Sequence, residues 1–223
     1  WARANPLGTF KVFRQYRGVV PLCIVFFIYF FASAVYPAIW PYWGIAKFQW
    51  STLMIGVTLA AFGIVTAIFQ GALAGPAVKR WGEIRVALAG LIVAVIAAIG
   101  YGLAPSLMVV IIFLVIHGPE GFVHPMLTAI MSKEVPENAQ GELQGGISSL
   151  MSVAMLAGTV FFSQIFGYFA KPNPVIVSTS IAFYAAAAIL AVSLFMFWRT
   201  ERGLISQSRL ALKKKKNAYK QQP

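Results

Sequence analysis

Residues 86–103 have the sequence VALAGLIVAVIAAIGYGL, an apolar run without a charged side chain. A transmembrane α-helix needs about 20 consecutive apolar residues, so this run is long enough to cross a bilayer. Long apolar runs that do not alternate with polar residues favour helices over strands. The sequence therefore predicts an all-α membrane protein with six transmembrane helices, at residues 18–42, 52–77, 86–103, 107–131, 143–169 and 175–198.

The composition supports a membrane protein. Hydrophobic residues make up 59% of the chain and charged residues 11%, whereas a soluble domain is about half apolar and about a quarter charged. The excess apolar surface has to face lipid. The only cysteine, Cys23, lies in the first predicted span, where a buried hydrophobic role is expected.

The formal net charge of +12 raises the possibility of nucleic-acid binding, but the positions of the charges argue against it. Sixteen of the 18 lysines and arginines lie before span one, after span six, or in the loops between spans two and three and between spans four and five. The opposite loops hold only Lys47 and Lys171. This bias predicts that both termini are cytoplasmic. The basic run at Lys213–Lys216 is then expected to contact anionic membrane lipid, and no nucleic-acid partner is predicted.

Three segments are expected along the chain. Residues 1–17 form a cytoplasmic linker, which is either an interfacial helix or a plain connection. Residues 18–198 form the six-helix transmembrane bundle, in which two three-helix units of opposite topology, at about 18–103 and 107–198, resemble the repeats of secondary transporters. Residues 199–223 form a basic cytoplasmic tail.

Span one carries a polar and aromatic stripe. Tyr29, Ser33, Tyr36 and Trp40 follow one another at steps of four, three and four, so they share one helix face. Pro37 removes a backbone hydrogen bond beside them and predicts a kink. The stripe is typical of a cavity wall, and Trp40 remains open to the alternative of a membrane-interface residue.

Spans two and five also carry polar side chains, whereas spans three and six are plainer and are predicted to be peripheral. Gln70 needs a partner inside the membrane, and the following pair Gly71 and Gly75 predicts a close helix approach. Span five has a face rich in hydroxyl and amide groups, as an aqueous pathway requires. Together with Tyr29, Ser33 and Tyr36 of span one, the predicted cavity residues are Gln70, Gln144, Ser148, Ser152 and Gln164.

Span four contains the ionisable group His117, Glu120 and His124, with Pro119 and Pro125 beside them. Ionisable residues inside a membrane are costly and indicate function by default. If the helix is continuous, spacings of three and four place all three side chains on one face.

Three interpretations of this group are left open. A low dielectric disfavours a charged carboxylate, so Glu120 could exchange a proton, with His117 or His124 as relay. Alternatively, Glu120 pairs with a histidine and holds helices together. Two imidazoles and a carboxylate could also bind zinc, but the prolines make convergent geometry doubtful, so no metal site is predicted. No cofactor is predicted either. The chain has neither G-x-S-x-G nor H-E-x-x-H, so enzymatic activity is not expected.

Four stretches carry a resemblance to a known family. They are WARANP at 1–6, VYPAIW at 35–40, QGALAGPAVKRWGE at 70–83 and QGELQG at 140–145. Each is placed against the spans as in the carboxyl-terminal half of a major facilitator superfamily transporter. The chain most closely resembles the tetracycline/proton antiporters.

The resemblance implies one half of a twelve-helix fold in which two six-helix bundles enclose a cavity. It also implies alternating access, and export of a small amphipathic, tetracycline-like drug in exchange for protons across a bacterial inner membrane. The missing partner would be an N-terminal six-helix bundle, in the same or a separate chain. A six-helix membrane subunit that is non-transporting or depends on a partner is the alternative.

Two departures from the family bear on the site. The family's cytoplasmic loop motif has only a weak sequence match in this chain. The matching residues are Gly75, Lys79, Arg80, Gly82, Glu83 and Arg85. Span three lacks the intramembrane histidine and aspartate that the resemblance implies for this half, and the chain contains no aspartate at all. Proton coupling therefore cannot be carried over from the family, and if it exists in this half, Glu120 is the carboxylate placed for it.

Overall fold

The computed structural model describes residues 15–171 and 178–220, with side chains described as far as residue 202. Within these residues every regular element is helical. The 3₁₀ segments are Arg17–Val19, Gly118–Phe122 and Glu137–Ala139, and one π-helical segment covers Phe69–Leu73. The α-helices are α1 Val20–Ser33, α2 Val35–Phe48, α3 Thr52–Ile68, α4 Ala74–Trp81, α5 Glu83–Leu103, α6 Leu107–Ile116, α7 Val123–Lys133, α8 Gln140–Phe169 and α9 Ile181–Lys220.

Six helical stretches of the described chain are long and apolar enough to cross a membrane, which confirms the predicted fold class. In chain order, spans one to six are Val20–Phe48, Thr52–Trp81, Glu83–Leu103, Leu107–Lys133, Glu137–Phe169 and Ile181–Arg202. The predicted linker falls almost entirely on residues 1–14, outside the described part of the chain. The backbone of the predicted tail continues α9 as far as Lys220.

Lys47 was predicted to lie in a loop, and this was wrong. It occupies the last turn of α2, five residues past the predicted end of span one. Its ammonium group donates to the carbonyl oxygen of Gly102 at 3.1 Å and to the hydroxyl of Ser180 at 3.0 Å. These bonds to spans three and six explain how a cationic helix end is accommodated beside the bundle.

The apolar core is concentrated around spans one and three, and 56% of the apolar window is buried in each of them. Phe26 and Leu91 are completely buried there. Spans two and five differ, because only 6% and 17% of their apolar windows are buried. Most of their apolar surface therefore remains free to contact lipid or a second bundle.

Three spans are interrupted near mid-length. Span one loses its regular α-helix at Ala34, in the turn preceding Pro37, as expected because proline cannot donate to the carbonyl four residues earlier. Span two contains the π-helical segment and span four the 3₁₀ segment. The two segments pack closely, since a Cβ at Gly118 would overlap the Phe69 ring.

The turn between spans two and three depends on Gly82, whose φ of 78° and ψ of 158° suit only glycine. We expect Gly82→Ala to destabilise the protein by about 1–3 kcal/mol through backbone strain, measured by thermal unfolding in detergent. Gly141→Ala is the matched control, because no neighbouring atom among residues 15–171 and 178–202 lies within 4 Å of its Cβ position. Equal melting temperatures for the two variants would contradict the expectation.

Candidate functional site

A cavity of about 280 Å³ lies at the level of the interrupted helices. Spans one, two, four and five supply its wall, and six of the predicted site residues line it. Its lining consists of Tyr29, Phe30, Ser33, Tyr36, Pro37, Phe62, Thr66, Gln70, Glu120, Gly121, His124, Met151 and Met155.

The four polar residues predicted for span five are placed differently. Gln144, Ser148, Ser152 and Gln164 lie on the exposed face of α8, and span five reaches the cavity through Met151 and Met155 instead. The Ser152 hydroxyl donates to the carbonyl of Ser148, within its own helix. A cavity role for these four residues stays a prediction that needs a second wall outside the described chain.

A second, narrower cavity of about 160 Å³ adjoins the first and shares Tyr36, Pro37 and Phe62 with it. Its remaining lining residues are Trp40, Leu59, Tyr101 and His117. Tyr101 comes from span three, which was predicted to be peripheral. That prediction was wrong at this position, because one tyrosine near the end of an apolar run gives no periodic signal.

His117 and Glu120 form a buried pair between the two cavities. The side chains are 1% and 8% exposed, and His117 Nε2 contacts Glu120 Oε2. The tight 3₁₀ turn around Pro119 brings residues three apart onto the same side, so the local backbone positions the pair.

Two hydroxyl groups complete a polar chain through this pair. Ser33 donates to Glu120 Oε1 at 3.0 Å, and the Tyr101 hydroxyl lies 3.2 Å from His117 Nδ1. Because Nε2 faces the carboxylate, Nδ1 is the nitrogen left for Tyr101. A tyrosine hydroxyl can donate to a neutral imidazole or accept from a protonated one, so the chain is compatible with either protonation state.

His124 does not share a continuous helix face with the other two residues, because the 3₁₀ segment breaks the α-helix on which that prediction depended. Its ring packs against Phe26 and Phe30, at centroid distances of 5.7 and 5.5 Å, and lines the wider cavity with Glu120. Within the part of the chain that the structure describes, no three His, Cys, Asp or Glu side chains are placed to hold a metal ion.

The predicted loop motif is collected at one end of the bundle. Gly75, Lys79 and Arg80 lie on α4, Gly82 forms the turn, and Arg85 lies in the first turn of α5. The Lys133 ammonium group forms an ion pair with the Glu83 carboxylate, with Nζ 2.6 Å from Oε2. This pair joins the turn after span two to the end of span four, but Lys133 is 66% exposed and the gain in stability is therefore small.

Tyr101 is a positioning residue for the buried pair. We expect Tyr101→Phe to lower the free energy of unfolding by about 1–2 kcal/mol, because His117 Nδ1 loses its buried partner. Thermal unfolding in detergent measures the loss, and the histidine NMR signals should shift. Tyr168→Phe, on a ring that is 59% exposed, is the control. If both variants behave like the parent protein, Tyr101 does not hold the imidazole.

Comparison with known proteins connects this bundle to transporters. Residues 22–219 match the sequence model of the Major Facilitator Superfamily. The chain is 32% identical over 162 residues to the class C tetracycline resistance protein of Escherichia coli, with 73% of this chain and 41% of that protein covered. It is 34% identical over 164 residues to the class G protein of Vibrio anguillarum, with 74% and 42% covered.

A solved structure shares the fold. The human organic anion transporter MFSD10 (TETRAN) matches with a TM-score of 0.71 at 20% identity, over 80% of this chain and 40% of that one. The chain thus spans about two fifths of the length of the relatives it matches.

Proposed function

The chain belongs to the Major Facilitator Superfamily, and we propose that it forms one six-helix half of a transporter that exports a small amphipathic drug in exchange for protons. The relatives named above are tetracycline resistance proteins. A tetracycline-like compound is therefore the first substrate to test. The second half is a further six-helix bundle, in the same or a separate chain.

The observation that carries this proposal is the buried His117–Glu120 pair between two cavities of a membrane-spanning bundle. A charged carboxylate inside a membrane-spanning segment is costly, and such residues are functional candidates by default. Glu120 lies on the wall of the wider cavity, so a proton and a substrate can both reach it. Ser33 and Tyr101 extend the polar chain on either side.

Conformational change between two access states requires helices that can bend. The interruption of span one and the non-α segments of spans two and four all adjoin the wider cavity. Non-helical backbone at membrane depth is tolerated where it lines a cavity or is buried in protein. We infer that these positions are the hinges of the alternating-access movement.

The second candidate function is a six-helix subunit that acts only with a partner or does not transport at all. The weak burial of spans two and five favours dependence on a partner, because both spans line the wider cavity and a second bundle would cover it. Both candidates are multi-pass membrane proteins with cytoplasmic termini, as the distribution of lysine and arginine predicts.

The proposal is tested with inverted membrane vesicles that contain the complete gene product. An acid-inside pH gradient should drive tetracycline into these vesicles, and an ionophore that collapses the gradient should abolish the uptake. Vesicles with the six-helix chain alone are the comparison. Absence of gradient-dependent uptake of tetracycline and other amphipathic drugs by the complete product would favour the non-transporting alternative.

A further inference from the structure

The narrower cavity is an aromatic pocket, formed by the rings of Tyr36, Trp40, Phe62 and Tyr101 with His117 beside them. The ring centroid of Tyr36 lies 6.5 Å from that of Phe62 and 5.9 Å from that of Tyr101. Trp40 and Tyr101 are 5.0 Å apart and nearly perpendicular, at 85°. Rings from three different spans thus surround a space of about 160 Å³.

The pocket is held open by fixed side chains. Trp40 Nε1 donates to the Thr58 hydroxyl at 3.0 Å, and that hydroxyl donates to the Ile55 carbonyl at 2.9 Å. The Tyr101 hydroxyl is held by His117. A ligand would therefore meet rings that are already ordered, which reduces the entropic cost of binding.

The charges around the two cavities favour a cation. In the described part of the chain, no lysine or arginine lines either cavity. The carboxylate of the wider cavity, Glu120, contacts the imidazole that forms part of the aromatic pocket. Aromatic faces carry negative electrostatic potential and attract alkylammonium groups. While His117 is neutral, an anion would meet these faces and Glu120 without a compensating positive charge from the residues that line the two cavities.

We propose that the aromatic pocket binds the alkylammonium group of a cationic substrate, with Glu120 as the counter-charge across His117. The polar body of the same substrate occupies the wider cavity. This inference rests on the proposed function, because it takes the two cavities as the substrate path. Organic cations are then the preferred class of substrate, whereas the human structural neighbour is an organic anion transporter.

The test compares choline with dimethylbutanol, in which a neutral carbon replaces the charged nitrogen. Ligand-observed NMR titrations on the complete gene product in detergent give both dissociation constants. We expect choline to bind at least about 10-fold more tightly, since desolvated cation–π contacts exceed the hydrophobic contacts of its isostere. Equal affinities for the two compounds would overturn the inference. Absence of binding by both compounds would also overturn it, including the case in which a side chain of the other bundle fills the pocket.

Three variants test whether the aromatic pocket is the source of the preference for choline. Trp40→Leu should abolish the preference for choline, whereas Trp40→Phe should retain part of it, because the phenyl ring keeps an attractive face. Trp198→Leu, on a residue that is 40% exposed and lines neither cavity, should leave the preference unchanged. A preference that persists undiminished in Trp40→Leu would place the binding site elsewhere.

The binding experiment and the vesicle experiment test separate claims, so either claim can be refuted without the other. Choline selectivity without gradient-driven transport would leave the aromatic pocket intact and remove the proposed function. Gradient-driven transport without choline selectivity would retain the transporter and remove the cation pocket.

Discussion

Glu120→Gln is expected to lower proton-coupled drug uptake into vesicles by about 100-fold or more, the scale on which an essential proton-transfer group contributes. The amide keeps the shape of the side chain and can still accept from Ser33, but it cannot bind or release a proton in the physiological range. Drug exchange without a pH gradient should fall far less, because the aromatic pocket and the uncharged contacts around the wider cavity remain. Parallel measurements of gradient-driven uptake and gradient-free exchange separate coupling from binding.

Glu137→Gln is the matched control for this prediction. Glu137 is exposed on the 3₁₀ segment that precedes α8 and lines neither cavity. Its substitution should leave both measurements unchanged. Undiminished gradient-driven uptake in Glu120→Gln would remove Glu120 from the coupling role and leave the buried pair as a structural link between helices.

The site could be predicted from sequence where a residue is chemically exceptional for its surroundings. Glu120 and His117 stand out in an apolar run, and the structure places them in contact. Tyr101 could not be identified in this way, because its role depends on span three packing beside span four. The exposed placement of Gln144 and Ser148 was missed for a similar reason, since polarity alone does not say which face of a helix meets its neighbours.

The fold was more accessible than the site, because span length and apolar composition are local properties. The six spans and the interruption near Pro37 both follow from short stretches of sequence. The positions at which two helices cross closely do not follow from short stretches of sequence. At the G-x-x-x-G pair of Gly71 and Gly75, no other helix in the described part of the chain comes within 4 Å of either Cβ position. Between spans one and five, the structure makes a tight contact at Gly158 instead, whose Cβ position faces the carbonyl oxygen of Phe31.

Gly158→Ala is expected to destabilise the bundle by about 3 kcal/mol, at the upper end of the usual cost of overpacking. A Cβ at this position would overlap the carbonyl oxygen of Phe31 and lie 2.7 Å from the Ala34 Cβ. The obstructing atoms belong to the backbone and a short side chain of span one, at the point where its α-helix is interrupted. They cannot move aside by a change of rotamer, so spans one and five must separate.

Gly167→Ala provides the comparison on the same helix, because none of the described neighbouring residues has an atom within 4 Å of its Cβ position. Thermal unfolding in detergent and the yield of folded protein should fall in Gly158→Ala and remain at the parent level in Gly167→Ala. If the two alanines are tolerated equally, spans one and five are not in close contact at Gly158. The wider cavity, which both spans line, would then have a different shape in the membrane.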